Sequence, residues 1–270
     1  MQGPALAIVI VLLVAAAVGV TVLGIWWLPP LASNWGAIDM MLVITLVITG
    51  IAFVAVHAVI AYFVVRYRRA RAKRAEFIPD NPKLEKLLIG VTALGIVILL
   101  APGLFVYSRF IQPPPDPLVV EVLGQQWAWG YRLPGADGEL GRADPELFAQ
   151  NPFGVDTSDP KAGDDVLVFP GSPLHLPVGR PVLFKIRAKD VLHSVYVREF
   201  RVKMDAVPGL LTQVWFVPEK TGTFELLCAE LCGIGHFNMK SSIVVESEAE
   251  FQDWLRRQTT VSQAFVPAQD

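Results

Sequence analysis

Cys228-Ala-Glu-Leu-Cys-Gly-Ile-Gly-His-Phe-Asn-Met239 sets two thiols, an imidazole and a thioether within twelve residues, and both cysteines of the chain lie in it. Soft sulfur together with imidazole selects copper or zinc over magnesium or calcium, and a thioether beside a thiolate favours copper. The second thiolate changes the count: Cys228 and Cys232 can bridge two metals, with one imidazole completing each inner shell. A second histidine must then come from elsewhere, and His193, in Asp190-Val-Leu-His-Ser194, is the expected supplier. Residue types alone leave other states open. Two cysteines outside the cytoplasm commonly form a disulfide. Zinc could sit between Cys228, Cys232, His193 and His236, which leaves Met239 unused. A single copper would leave one cysteine unexplained, and Gly233 and Gly235 suit a tight loop whatever the ligand.

Outward from this stretch, short β-branched or aromatic runs alternate with Pro, Gly and Asp. The runs are Val119–Leu123, Val166–Phe169, Pro181–Ile186, Ser194–Val197, Val214–Val217, Phe224–Leu227 and Ser242–Val245. Such a pattern predicts an antiparallel sandwich or barrel. The sulfur-bearing loop joins the last two runs, so neighbouring strands could bring His193 to it. Residues 134–165, rich in Gly, Pro, Asp and Ala, read as a long surface loop. Ser247 to Arg257 reads as a short amphipathic helix capped by Ser247. Trp127 and Trp129 alternate, so on a strand both would share a face. His175, in Pro173-Leu-His-Leu-Pro177, reads as a loop or strand histidine. The extracytoplasmic domain is expected over residues 113–258, followed by a disordered tail over 259–270.

The N-terminal part follows a different grammar. The 270-residue chain is 53% apolar, with a mean hydropathy of +0.46. Uncharged runs extend over Met1–Ile38, Met40–Val65 and Leu87–Ser108. Each can cross the ~30 Å of bilayer hydrocarbon as a helix. Residues 1–112 are therefore expected to form a membrane anchor of two or three helices, at 5–28, 40–65 and 87–108. The first is either retained or a secretory signal cut near Leu31-Ala-Ser33; it lacks a basic start and its apolar run is long for a signal. Arg66, Arg68, Arg69, Arg71, Lys73 and Arg74 mark a cytoplasmic loop, so the third helix exits on the opposite, periplasmic or extracellular, face. His57 is an ionisable residue inside the second run, where hydrogen bonding to a neighbouring helix would also account for it. Asp80 or Asn81 could cap the third helix, with Pro82 and Glu85 in its first turn. Residues 1–108 hold eight Lys and Arg against four Asp and Glu, while residues 109–270 hold fifteen against twenty-one. An acidic exported part suits solubility or a basic soluble partner, and its sign argues against nucleic-acid binding.

Cys228-x-Glu230-x-Cys232-x-x-x-His236-x-x-Met239, preceded by Asp190-Val-Leu-His-Ser194, resembles the dinuclear copper-A site of subunit II of haem-copper cytochrome c oxidases. Gln126-Trp-Ala-Trp129 and Asp205-Ala-Val-Pro-Gly209 belong to the same pattern, and the likeness runs from Phe63 to Trp254. It implies a cupredoxin-like domain and a copper pair. Cys228 and Cys232 would bridge the coppers, with His193 and His236 one on each, Met239 as a weak ligand and the Glu230 carbonyl on the other metal. It also implies that Trp127 accepts the electron from cytochrome c, and that Glu230 helps hold magnesium at the boundary with the haem-bearing subunit I. Glu85 would lie at the mouth of a proton path into that subunit. The implied function is electron delivery to haem in subunit I, where oxygen is reduced with coupled proton translocation. The sequence departs from the family at Gln125, Ala128, Val195 and Leu210, and a third membrane helix is unusual for it. With two cysteines and no C-x-x-C-His, no haem is attached covalently. A copper-A subunit of a related nitric oxide reductase is an alternative, a quinol oxidase subunit fits less well, and a membrane-anchored copper-delivery protein is a reading from another class.

Overall fold

The protein is described by a computed structural model covering residues 2–68, 77 and 79–265; Arg69, Arg71, Lys73 and Arg74 of the basic loop and residues 266–270 lie outside the described residues. The chain forms two compact units, residues 1–28 with 37–106, and residues 29–36 with 107–270.

The first unit is helical. α1 (Gln2–Leu23), α2 (Gly36–Arg66) and α3 (Pro82–Phe110) are each long and apolar enough to cross a membrane. α1 ends before the expected Leu28 because Gly24 turns into the left-handed region at φ 64°, where L side chains are strained. Small residues let α1 approach α2: a Cβ on Gly3 would lie 3.1 Å from the Val64 carbonyl, and Ala7 and Ala61 are buried. Such close approach is how helices associate where no hydrophobic drive separates them from lipid. In α2, His57 Nδ1 donates to the Phe53 carbonyl at 2.7 Å, a bond within its own helix. α3 starts at Pro82, ahead of the uncharged run at Leu87, with Asn81, one of the two expected caps, accepting from the Leu84 amide at 3.2 Å. Glu85 is thereby set, exposed, in the first turn.

The second unit is a β-sandwich. Its strands are β1 (Leu118–Gln125), β2 (Ala128–Leu133), β3 (Val166–Val168), β4 (Leu174–Pro177), β5 (Val182–Ala188), β6 (His193–Val197), β7 (Val202–Ala206), β8 (Thr212–Phe216), β9 (Gly222–Cys228), β10 (Lys240–Glu246) and β11 (Thr259–Thr260). One sheet runs β11-β3-β2-β1-β5-β8 and the other β4-β10-β9-β6-β7. Pairing is antiparallel except at β1/β5 and β4/β10, which are parallel. Val120, Val122, Phe184, Ile186, Phe216, Leu226 and Phe200 are fully buried, and burial of each such side chain stabilises by roughly 1.5–3 kcal/mol. α4 (Glu248–Arg256) begins with a complete capping box between Ser247 and Glu250. His175 sits on β4, bonded to Glu246 Oε1 at 2.8 Å and stacked on Trp254.

Three expectations change. Residues 134–165 form the long loop expected, with a 3₁₀ turn at Pro145–Ala149, but it is anchored rather than wholly at the surface: Phe153, Val155 and Ala162 pack with Leu123 and Leu167 in one apolar cluster. Residues 259–265 of the expected tail are ordered. β11 pairs with β3, α5 (Val261–Phe265) follows, and Val261 is buried in that same cluster. Its amide donates to the Asp165 carbonyl at 2.9 Å, so burial and backbone pairing hold a segment that reads as polar in sequence. Finally, Trp127 and Trp129 do not share a face. The β1–β2 turn at Gln126–Trp127 breaks the alternation, leaving Trp127 39% exposed and Trp129 1% exposed.

Candidate metal centre

Strand order assembles the site. β10, β9 and β6 are neighbours, and the register sets Cys228 opposite Val195 and Lys240 opposite Leu227. The start of β6 (His193), the end of β9 (Cys228) and the residue before β10 (Met239) therefore meet at one end of the sheet. The Cys228 amide donates to the Met239 carbonyl at 3.0 Å, closing the base of the sulfur loop, and the Ala229 amide donates to the Ser194 carbonyl at 3.0 Å. Within the loop, Gly233 holds φ 115°, a conformation essentially confined to glycine. A short 3₁₀ turn then carries His236.

His193, Cys228, Cys232 and Met239 are buried. The two sulfurs lie 3.7 Å apart as free thiols, beyond the ~2.05 Å of a disulfide. His193 Nδ1 is 3.9 Å from Cys228 Sγ, and His236 Nδ1 is 3.6 Å from Cys232 Sγ. Cys228 Sγ also lies 3.3 Å from the Glu230 carbonyl oxygen, and Cys232 Sγ 3.7 Å from Met239 Sδ. Ligand atoms of His193, Cys228 and Cys232 all fall within 4.8 Å of one another. All six metal-site residues expected from the sequence thus come together, with an imidazole beside each sulfur. Burial, followed by the neighbouring Cys228 thiol, pushes the Cys232 thiol up to about 11. A metal is what would make this cysteine a thiolate, and its binding would release the proton.

Two supporting residues were not singled out by the sequence. His193 Nε2 donates to Asp190 Oδ1 at 2.8 Å, which leaves Nδ1 on the side of Cys228 Sγ. Burial opposes charge on Asp190, but amide bonds from Gln126 and Val191 and the bond from His193 hold its carboxyl below the usual range. Gln126 closes the circuit: its amide donates to Asp190 Oδ2 at 2.7 Å and its Nε2 to the Cys232 carbonyl at 2.8 Å. Trp127 Nε1 donates to that same carbonyl at 3.1 Å. The Trp127 ring also covers Gly235, where any Cβ would enter the indole. Asp190 was visible three residues before His193, but nothing in the spacing assigns it a bond.

The Glu230 side chain accepts from Lys203 Nζ at 3.0 Å. Lys203 also donates to Asp205 Oδ1 at 2.8 Å, as does Ser194 Oγ at 2.7 Å. The bond to Asp205, against a smaller burial effect, raises Lys203 above the usual lysine range. Outside the sulfurs the loop presents Leu231, Ile234 and Phe237, each more than 80% exposed.

The family model for the periplasmic domain of cytochrome c oxidase subunit II matches residues 118–248. The alternative cytochrome c oxidase subunit 2 of Bradyrhizobium diazoefficiens is 44% identical over 257 residues, covering 95% of this chain and 92% of that protein. Cytochrome c oxidase subunit 2 of Cereibacter sphaeroides is 34% identical over 228 residues, covering 78% and 73%. Among solved structures, the periplasmic domain of subunit II of cytochrome oxidase from Bradyrhizobium japonicum is 28% identical with a TM-score of 0.41, covering 54% of this chain and 95% of that one. The chain belongs to the cytochrome c oxidase subunit II family.

Proposed function

We infer that this chain is the electron-accepting subunit of a cytochrome c oxidase. It takes electrons from cytochrome c through Trp127 and delivers them to haem in a separate subunit I, where oxygen is reduced with coupled proton translocation. The observation that carries this reading is the pair of sulfurs 3.7 Å apart with an imidazole beside each. Cys228, Cys232, His193, His236, Met239 and the Glu230 carbonyl would hold a dinuclear copper centre, the donor set being soft sulfur with imidazole. Bound there, copper supplies a one-electron site that the polypeptide lacks. The chain's own part is to exclude water by burying four of these residues, to fix His193 through Asp190, and to tie Trp127 to the Cys232 carbonyl.

Trp127 is the aromatic member of this circuit and is open to solvent, and the exposed Leu231, Ile234 and Phe237 give cytochrome c an apolar contact beside it. The acidic balance of residues 109–270 supports steering of a basic donor. The run of Arg and Lys after α2 puts that end of the helix in the cytoplasm, so the β-sandwich lies on the periplasmic side. Glu230 would hold magnesium at the boundary with subunit I once Lys203 turns wholly to Asp205, which it already reaches. Glu85, exposed at the start of α3, is a proton-uptake residue of the assembled enzyme. Glu85→Ala should slow proton uptake and turnover together, and unchanged values in the complex would remove that role.

The test of the main reading is electron paramagnetic resonance with metal analysis on the full-length chain in detergent after copper reconstitution. Two coppers per chain, with hyperfine structure from one electron shared over two nuclei, are expected. A single-copper spectrum, bound zinc or a stable Cys228–Cys232 disulfide would overturn it and bring copper delivery forward.

A further inference from the structure

Electron transfer leaves one sequence motif without a role, the small-residue pattern Leu31-Ala-Ser33 between α1 and α2. In sequence it has the look of a leader-peptide cleavage site. In the structure residues 29–36 belong to the β-sandwich unit, and the motif is built into it on both edges. The Ala32 amide donates to the Glu199 carbonyl at 2.8 Å, and the Ala32 carbonyl accepts from the Glu219 amide at 2.8 Å. The Asn34 amide donates to the Val217 carbonyl at 3.2 Å, and the Val217 amide returns a bond to Asn34 Oδ1 at 2.7 Å. Ser33 Oγ donates to the Phe200 carbonyl at 2.8 Å, and Arg201 Nη2 to the Pro29 carbonyl at 2.7 Å.

Side chains complete the attachment. Trp35 Nε1 donates to the Trp215 carbonyl at 2.9 Å, and its ring packs on Trp215 and Phe110 with centroids 4.8 and 4.9 Å away. Ala32 and Ser33 are 2% and 1% exposed. A cut after Ser33 would remove at once the bonds made to the Glu199 and Phe200 carbonyls, the Glu219 amide and Arg201 Nη2. The Phe200 carbonyl belongs to a fully buried residue, where a lost hydrogen bond is not replaced by water without cost.

We propose that Pro29–Gly36 is an uncut strap of the β-sandwich, so that Leu31-Ala-Ser33 is not a processing site and the mature chain begins at or before Pro29. The sandwich then has two covalent attachments to the membrane helices, one through this strap and one through α3. The variant-free test is N-terminal sequencing with intact-mass measurement on the subunit isolated from membranes. A first residue at or before Pro29 is expected, and any start after Pro29 overturns the proposal. A second measurement checks the strap's energetic role: Trp35→Ala in the full-length chain should lower the melting temperature of the β-sandwich by on the order of 5 °C, with helical circular dichroism retained. Unchanged melting would overturn the strap even if the chain were uncut.

Discussion

Asp190 and Trp127 act on the site through hydrogen bonds that single substitutions can remove. Asp190 accepts from His193 Nε2 and the Val191 amide on one oxygen and from the Gln126 amide on the other. Asparagine offers one acceptor oxygen in place of two, so Asp190→Asn must abandon either the imidazole or the turn that carries Trp127. Loss of such an orienting partner typically weakens metal affinity by about 10–100-fold, and chelator competition on the reconstituted chain should read a loss of that size. Unchanged affinity would mean that the β-sheet alone orients His193. Trp127→Phe is a different change. The phenyl ring still covers Gly235, but the Nε1–H bond to the Cys232 carbonyl is lost. Cytochrome c oxidation should fall by about tenfold or more, equivalent to ~1.4 kcal/mol of barrier, with copper content intact. An unchanged rate would remove Trp127 as the accepting residue.

Among the elements, the meeting of strand ends decides what the sulfur loop can do, and Gly124 on β1 shows how little space is left. A Cβ there would lie 3.0 Å from Trp129 Cζ3 and 3.1 Å from His193 Cδ2, while the Trp129 and His193 rings already meet edge to face at 6.0 Å. Gly124→Ala should push the imidazole off its place, costing ~1–3 kcal/mol as overpacking and broadening the copper spectrum. Wild-type stability and spectrum would show that Trp129 can give way. The ligand set was legible in sequence because five of its six residues share twelve positions and local spacing survives folding. Strands β1, β3, β5, β6, β8, β9 and β10 were legible as β-branched runs. β4 was not, being four residues that end in proline, and neither was β7, where Lys203 and Asp205 interrupt the apolar pattern. The Asp190–His193 and Gln126–Cys232 bonds depend on which strands become neighbours, and the parallel β1/β5 and β4/β10 pairings are long-range choices that no local pattern encodes.

At the scale of the whole molecule, the outer face of β1 explains why residues 134–165 are ordered. Leu123 anchors the apolar cluster with Phe153 and Val155, and Glu121, two residues away on the same face, anchors a buried charge network. Arg132 binds Glu121 Oε2 at 2.8 Å, Asp165 Oδ2 at 2.6 Å and the Gly141 carbonyl at 2.8 Å. Arg187 binds Glu121 Oε1 at 2.6 Å and the Phe153 carbonyl at 2.9 Å. The two carboxylates respond oppositely. Burial opposes charge on Glu121, but Arg132 and Arg187 together hold it below the usual range, so it stays ionised above its ordinary 4.5. Asp165 has one arginine, and burial outweighs it, raising the carboxyl from 3.8 to about 6. Between those two values the folded chain keeps a proton that the unfolded chain has released. Stability from this group is therefore present at low pH and lost as pH rises through about 6, by at most ~3 kcal/mol. Asp165→Asn carries no proton to lose. Urea midpoints at pH 4.5 and pH 7 should show wild type losing ground to the variant as pH rises, and a gap that stays constant across that window would show that Asp165 is ionised throughout and that Arg132 fully compensates its burial.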